Sequence, residues 1–145
     1  RLNNPTDWTS KILSKYVYPS RAICEVIKTT SLTNGLSGFF VTIRYLSQNN
    51  DIENFYNISN EVMSENGIFS IHCFQSDKEI SLLKTKEKVI RSFQGNEDEI
   101  IDYAVVIECL NINKVKKFLL NNLKIKSDKK IKINYYQLQH IIELG

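Results

Sequence analysis

Apolar residues recur along most of the chain with the period of a helix or a strand, and turn residues separate the segments. A four-residue period after the Asn4-Pro5 pair predicts a helix over 4–17. Alternating apolar positions predict strands over 21–29 and 39–46. Because Asn34-Gly35 between them is typical of a turn, we expect these two strands to form a hairpin.

The middle of the chain has the pattern of a helix, a strand and a second helix. Asn50 is in position to cap the first of these helices, and Asn66-Gly67 is typical of a left-handed helix stop. The apolar segment 68–74 then predicts a strand. A capping box that begins at Ser76 predicts a further helix.

The last third of the chain contains the clearest strand pattern, over 103–110. Asn111 or Asn113 then caps a predicted helix that ends at about Asn122, and a final strand is predicted over 131–136.

The order of these elements predicts the fold class. Strand-helix-strand steps of this length, combined with a hairpin, favour an α+β, ferredoxin-like domain with an antiparallel-rich sheet and helices packed on one face. We expect a single compact domain over 1–145. The alternative is two ferredoxin-like halves, about 1–75 and 76–145.

The composition is that of an ordinary globular domain. Apolar residues make up 42% and charged residues 24% of the 145, which excludes a disordered tail, a collagen-like chain and a disulfide scaffold. No apolar run reaches the length of about 18 residues that a membrane span needs. The chain begins at Arg1 without an initiator Met or a signal-peptide core, so we expect a domain of a longer chain or a processed product.

Three cysteines, Cys24, Cys73 and Cys109, occur in apolar runs and fit no zinc spacing. We expect them to be free thiols that pack as small hydrophobic side chains. This favours a reducing compartment, although buried thiols also persist in an oxidising one.

Positive charge is concentrated towards the C-terminus. The stretch 114–132 has eight Lys and one Asp, a net charge of +7, whereas the whole chain has +3 and the remainder therefore −4. Such a stretch predicts an anionic partner, such as nucleic acid, lipid headgroups or an acidic protein. The alternative is a solvated surface in a lysine-rich chain, which the absence of Arg from the stretch favours.

Candidate catalytic residues are few. His72 and Cys73 are adjacent in a predicted strand, so their side chains point to opposite faces and cannot form a dyad. No Gly-rich elbow follows either residue to build an oxyanion site. His140 has no partner at the spacing of metal ligands. We therefore predict a chain without catalytic residues, and an enzyme that uses His72 is the remaining alternative.

The sequence contains no pattern typical of a metal or cofactor site. Glu97, Asp98, Glu99 and Asp102 lack the alternate spacing and the turn glycine of a calcium loop. The five Gly residues form neither of the phosphate-binding glycine motifs. We therefore predict neither a metal nor a cofactor.

One segment is compatible with RNA binding. Leu36-Ser-Gly-Phe-Phe-Val-Thr-Ile resembles the aromatic strand motif of RNA-binding modules, which use a ferredoxin-like sheet. It lacks the basic start and the second glycine of that motif, and Ile43 stands where an aromatic residue is expected. A nucleic-acid-binding module that uses 114–132 is therefore the alternative function.

The chain also resembles a group of assembly proteins. Similarity to the PilN or GspL type of periplasmic domain lies in Trp8-Thr-Ser-Lys-Ile-Leu, Phe39-Phe-Val-Thr-Ile-Arg-Tyr-Leu and Asn50-Asp-Ile-Glu-Asn-Phe. Similarity to the PilO type lies in Tyr103-Ala-Val-Val-Ile-Glu and Val115-Lys-Lys-Phe-Leu-Leu. Such domains belong to membrane-anchored subunits that align a type IV pilus or a type II secretion system.

The resemblance implies a scaffold domain for protein–protein interaction without an active site. Its partner would be a copy of itself or a sister subunit, in a homo- or hetero-dimer. Its location would be the periplasmic side of an inner membrane, and the free cysteines keep a cytoplasmic location open.

The strand over 131–136 is the predicted edge strand, because the Lys residues that flank it keep an edge soluble until it is paired. The candidate partner-binding residues are Lys124, Lys126, Lys129, Lys130, Lys132, Tyr135 and Tyr136.

Overall fold

The computed structural model describes residues 6–7, 11, 22–33, 37–45, 52–83, 101–122 and 131–138. The strands in these ranges are β1 (Cys24–Ser31), β2 (Phe39–Tyr45), β3 (Ile68–Ser76), β4 (Tyr103–Cys109) and β5 (Ile131–Gln137). The helices with defined bounds are α1 (Glu53–Tyr56), α2 (Asn60–Glu65), α3 (Lys78–Leu82) and α4 (Ile112–Asn122).

These strands form one sheet in the order β1-β3-β4-β2-β5. β2 pairs with β4 and with β5, and β3 pairs with β4, in each case antiparallel. β1 also runs antiparallel to β3: the Leu32 N–H donates to the Phe69 carbonyl at 2.9 Å, and the Asp77 N–H donates to the Ile23 carbonyl at 2.9 Å. The predicted α+β class with an antiparallel sheet is confirmed.

Two helical connections each skip one strand of the sheet. The chain leaves β2, forms α1 and α2, and returns as β3 on the far side of β4. It leaves β4, forms α4, and returns as β5 on the far side of β2. The two connections start from antiparallel strands and cross the sheet in opposite directions. The usual right-handed crossover therefore puts both of them on the same face.

The predicted hairpin between the first two strands is wrong. β1 pairs with β3 at one end of the sheet, whereas β2 lies between β4 and β5. Alternate residues of β2 are buried, while β1 is exposed along most of its length. A strand with one fully apolar face gains most from a central position, and an exposed strand is tolerated at an edge. A local turn motif does not outweigh this difference in burial.

Alternate residues of the central strands are buried on one face of the sheet, and helices cover that face. On β2 and β4 the buried cross-strand pairs include Val41 with Ile107 and Ile43 with Val105. The helices contribute Phe55, Met63, Val115, Phe118 and Leu119 to the same cluster.

The helix predicted to begin at Asn50 is divided into α1 and α2. Ser59 separates them, because its side-chain oxygen accepts the N–H of Val62 at 3.3 Å and caps α2. At the end of α2, Gly67 has a φ of 65°, so the predicted left-handed stop is confirmed.

Two other helices begin at side-chain caps. Asp77 caps α3 by accepting the Ile80 N–H at 2.9 Å, one residue later than predicted, because Ser76 still belongs to β3. Asn111 caps α4 by accepting the N–H groups of Asn113 at 2.9 Å and of Lys114 at 3.2 Å. Of the two predicted caps of α4, Asn111 is the one used.

The chain divides into two compact units, residues 1–23 with 76–100 and residues 24–75 with 101–145. The second unit contains the sheet and the core. In the first, the Ile23 N–H donates to the Ser81 hydroxyl at 3.1 Å, and that hydroxyl donates to the Ile23 carbonyl at 3.2 Å. The expectation of one domain, with two halves as its alternative, stays a prediction.

Several predicted features lie outside the described residues: most of the helix over 4–17, Asn34-Gly35, the helix beyond residue 83, Glu97, Asp98 and Glu99, and His140. Within the described ranges, each helix is too short or too polar to cross a bilayer.

Candidate protein-binding edge of the sheet

β5 ends the sheet order, with β2 as its neighbour on one side and none of the other described strands on the other side. The pairing with β2 runs from Ile131 opposite Tyr45 to Gln137 opposite Phe39. The predicted edge position of this strand is confirmed among the described strands. We call the outer side of β5 the β5 edge.

The hydrogen-bonding groups of β5 alternate between β2 and the β5 edge. The Leu138 N–H donates to the carbonyl of Gly38, the residue directly before β2, at 2.9 Å. In an antiparallel pair, residues that exchange such bonds alternate with residues whose N–H and C=O point away. The even-numbered residues of β5 therefore face β2. The N–H and C=O groups of Ile131, Ile133, Tyr135 and Gln137 point to the β5 edge, and we call these four the outward-facing residues.

Two aromatic side chains are exposed beside this edge, one on each face of the sheet. Tyr135 lies on the helix-covered face and is 38% exposed. Tyr136 lies on the opposite face and is 50% exposed. Aromatic side chains of this size are typical anchors of protein interfaces, since they bury a large area with few rotatable bonds.

Helix α4 supports the position of Tyr135. The Lys116 ammonium lies 4.5 Å from the centre of the Tyr135 ring, within cation–π distance. Partial burial raises the pKa of the Tyr135 phenol, so the phenol is neutral and able to donate at physiological pH. Leu120 lies one helical turn after Lys116 on the same side of α4, and it is 68% exposed.

The predicted partner-binding residues are described in part. Lys132, Tyr135 and Tyr136 all lie on β5, and Lys132 is exposed. The other four predicted residues, Lys124, Lys126, Lys129 and Lys130, lie outside the described ranges.

Sequence reasoning missed Lys116 and Leu120 as neighbours of this edge. The four-residue spacing of the two residues on an amphipathic helix is the signal that was available for them.

A second polar cluster surrounds His72 on the sheet face opposite the helices. Its Nδ1 lies 3.1 Å from the Thr29 hydroxyl, and its Nε2 lies 3.0 Å from the Ser70 hydroxyl and 3.4 Å from a Glu108 carboxylate oxygen. Ser70 is 4% exposed, so His72 satisfies a buried hydroxyl. No residue pattern in the sequence indicates this cluster, because its members come from three separate strands.

The His72 cluster has the residue types of a hydrolase triad without the surroundings that such chemistry needs. Thr29 and Glu108 contact opposite ring nitrogens, as a nucleophile and an orienting carboxylate do. All of these residues lie on strands, whose N–H groups point along the sheet to neighbouring strands and not out of its face. Strand amides therefore cannot supply oxyanion donors above His72. The cluster links β1, β3 and β4.

The three cysteines are free, and Cys73 and Cys109 are buried in the core. Burial raises the pKa of all three thiols, that of Cys73 to about 11. Thiols with raised pKa values are protonated and unreactive at neutral pH. In the described part of the chain, no three His, Cys, Asp or Glu residues are grouped closely enough to hold a metal ion.

The sheet face opposite the helices differs from an RNA-stacking platform. RNA-binding modules of this class stack bases on aromatic residues of the two central strands. On β2, Phe40 lies on this face, opposite Glu108 of β4. None of the three residues of β4 on this face, Ala104, Val106 and Glu108, is aromatic. On this face, the two central strands therefore provide one aromatic ring, that of Phe40, among their described residues.

No protein-family model matches the chain, and a search of the curated proteins gives no significant match.

Proposed function

We propose that this chain is a non-catalytic protein-interaction domain of the ferredoxin-like class, which joins a copy of itself or a similar domain through the β5 edge. The strand order β3-β4-β2-β5, with a helical connection after β2 and another after β4, supports the ferredoxin-like assignment. In this description, β1 is an additional strand beside β3.

The observation that carries the proposal is the β5 edge. It presents outward backbone N–H and C=O groups together with Tyr135 and Tyr136, which are both exposed. A partner strand that pairs there gains main-chain hydrogen bonds, and pockets around the two rings would give specificity. Lys132 keeps the free edge soluble, as charged residues do on natural edge strands.

We further propose that the domain is part of a membrane-anchored assembly similar to a type IV pilus or a type II secretion system. The resemblance to the PilN, PilO and GspL types supports this role, with a periplasmic location. A cytoplasmic location is the alternative that the three free thiols favour. A hydrophobic segment of about 20 residues encoded ahead of Arg1 would support the anchored role.

A photo-crosslinking amino acid at position 136 of the full chain, expressed in its native cells, tests the interaction function. We expect a discrete adduct that contains a second copy of the chain or a protein with a similar domain, identified by mass spectrometry. The same crosslinker at Glu61, which is exposed on α2, is the matched control. Equal or absent protein adducts at the two positions would contradict the proposal, as would adducts with nucleic acid alone.

Nucleic-acid binding is the second candidate function. Lys114, Lys116 and Lys117 are exposed on α4, and Lys132 is exposed on β5, on the sheet face opposite the helices. These four lysines place positive charge on both faces of the sheet beside β5, and positive charge is the feature that attracts phosphate groups.

A further inference from the structure

We infer that two copies of this chain pair β5 with β5, antiparallel, about a two-fold axis at Asn134, so that one sheet continues through both copies. The inference rests on the proposed function and narrows the partner at the β5 edge to a second copy. Its basis is the match between this strand and its own two-fold image.

The first match is in the hydrogen bonds. With the axis at Asn134, Ile131 lies opposite Gln137 of the other copy, and Ile133 lies opposite Tyr135. These four are the residues whose N–H and C=O groups point outward. Every outward group of both strands is then paired. A shift of the axis by one residue along β5 leaves an outward-facing residue beyond the end of the other strand.

The second match is in charge. Lys132 is the single charged residue of β5. About the axis at Asn134 it lies opposite Tyr136 of the other copy, where an ammonium can contact the face of the exposed ring. The two Lys132 residues are four positions apart along the seam, about 13 Å. That exceeds the screening length of about 8 Å at physiological salt. The two Asn134 amides face each other and can exchange a hydrogen bond.

The third match is apolar surface on the helix-covered side of the seam. Ile133 lies opposite Tyr135 there, and Tyr135 contacts Lys116 of α4. Leu120, one turn further along α4, is 68% exposed on the same side. The second copy brings the same surface to the same seam, so each copy can cover the exposed Leu120 of the other.

The opposite end of the sheet does not match its own image. The Leu32 N–H donates to the Phe69 carbonyl, whereas at the other end of the pairing the Ile23 carbonyl accepts the Asp77 N–H, so the residues that face β3 change from odd-numbered to even-numbered along β1. The outward N–H and C=O groups of β1 therefore do not form one regular alternating series, so a two-fold image of β1 does not pair all of them, unlike the image of β5.

Cysteine crosslinking of the full chain, in a Cys24→Ser background, tests the register. We expect Asn134→Cys to form a disulfide dimer under mild oxidation, because residue 134 faces its own image at a distance that a disulfide spans. Tyr136→Cys alone is the matched control and should stay monomeric. A mixture of Tyr136→Cys and Lys132→Cys should crosslink. Crosslinking of Tyr136→Cys equal to that of Asn134→Cys, or none in any variant, would overturn the register.

A charge exchange at the axis gives a second measurement, by sedimentation equilibrium. Asn134→Lys and Asn134→Asp each put like charges opposite each other, and each should weaken self-association by about fivefold. A mixture of the two variants should restore it. If the wild type, both variants and their mixture all remain monomeric, the proposed pairing of two copies is wrong. The interaction function would still stand if the crosslinker at position 136 captured a different protein with a similar domain.

Discussion

Gly67 has a backbone conformation that glycine adopts without strain, with a φ of 65° between α2 and β3. A Cβ at this position meets the Leu110 Cβ at 3.8 Å, which is an ordinary contact. Gly67→Ala should therefore lower the free energy of unfolding by about 1 kcal/mol through backbone strain alone. Gly38→Ala, with nothing within 4 Å of its Cβ, is the matched control and should change it by less than about 0.5 kcal/mol. Equal changes in the unfolding free energy of the two variants, measured by urea denaturation, would contradict this explanation.

The buried thiol of Cys73 should make the fold less stable at alkaline pH. Burial raises the pKa of its thiol from 9.0 to about 11, against a smaller lowering by Lys28. The unfolded chain therefore loses this proton first, and the contribution of the neutral thiol to stability is lost as pH rises from 9 to 11. We expect the unfolding free energy of the wild type to fall more steeply over this range than that of Cys73→Ala. Parallel curves would show that the thiol does not contribute.

At the scale of elements, α4 depends on Asn111 for its start. The Asn111 side chain accepts two N–H groups of the first turn, which have no partner within the helix. Asn111→Ala should cost about 1 kcal/mol of unfolding free energy. Asn113→Ala, two residues later and exposed, should be neutral or slightly stabilising, because Ala favours a helix interior. The reverse order in thermal or urea unfolding would assign the cap to Asn113.

Strands were easier to predict from the sequence than helix continuity. The alternation in β2 and β4 reflects burial on one face, and that period is visible in the residues themselves. The division between α1 and α2 was not predicted, because the apolar spacing continues from Phe55 to Met63 across the break. Ser59 was the available signal, since a Ser inside a helical pattern can cap a new helix.

At the scale of the whole molecule, the distribution of charge separates the two candidate functions. A protein-interaction domain with exposed lysines on α4 and β5 should bind a single-stranded oligonucleotide weakly, with a Kd of about 10⁻⁴ to 10⁻⁶ M at physiological salt. The affinity should fall steeply as the salt concentration increases. Fluorescence anisotropy across a salt series measures this. A variant in which Lys114, Lys117 and Lys132 are changed to Gln should lose this weak oligonucleotide binding. A Kd well below 10⁻⁶ M that depends on the base sequence would favour the nucleic-acid function instead.

The His72 cluster and the β1–β3 pair show what only the tertiary structure decided. Thr29, His72 and Glu108 are distant in sequence and meet because β3 lies between β1 and β4. Strand order depends on the relative burial of whole strands and on the helical connections, and no local residue pattern encodes either.

The sequence by itself determined the periods of the strands, the Asn111 cap and the left-handed stop at Gly67, because each depends on residues a few positions apart. It also indicated β5 as an edge strand, through the Lys residues that flank it. The tertiary structure decided which side of β5 has none of the other described strands beside it, and it placed Lys116 of α4 against Tyr135 of β5. Those relations join elements that are remote in the chain, so they arise only when the sheet and its core are formed.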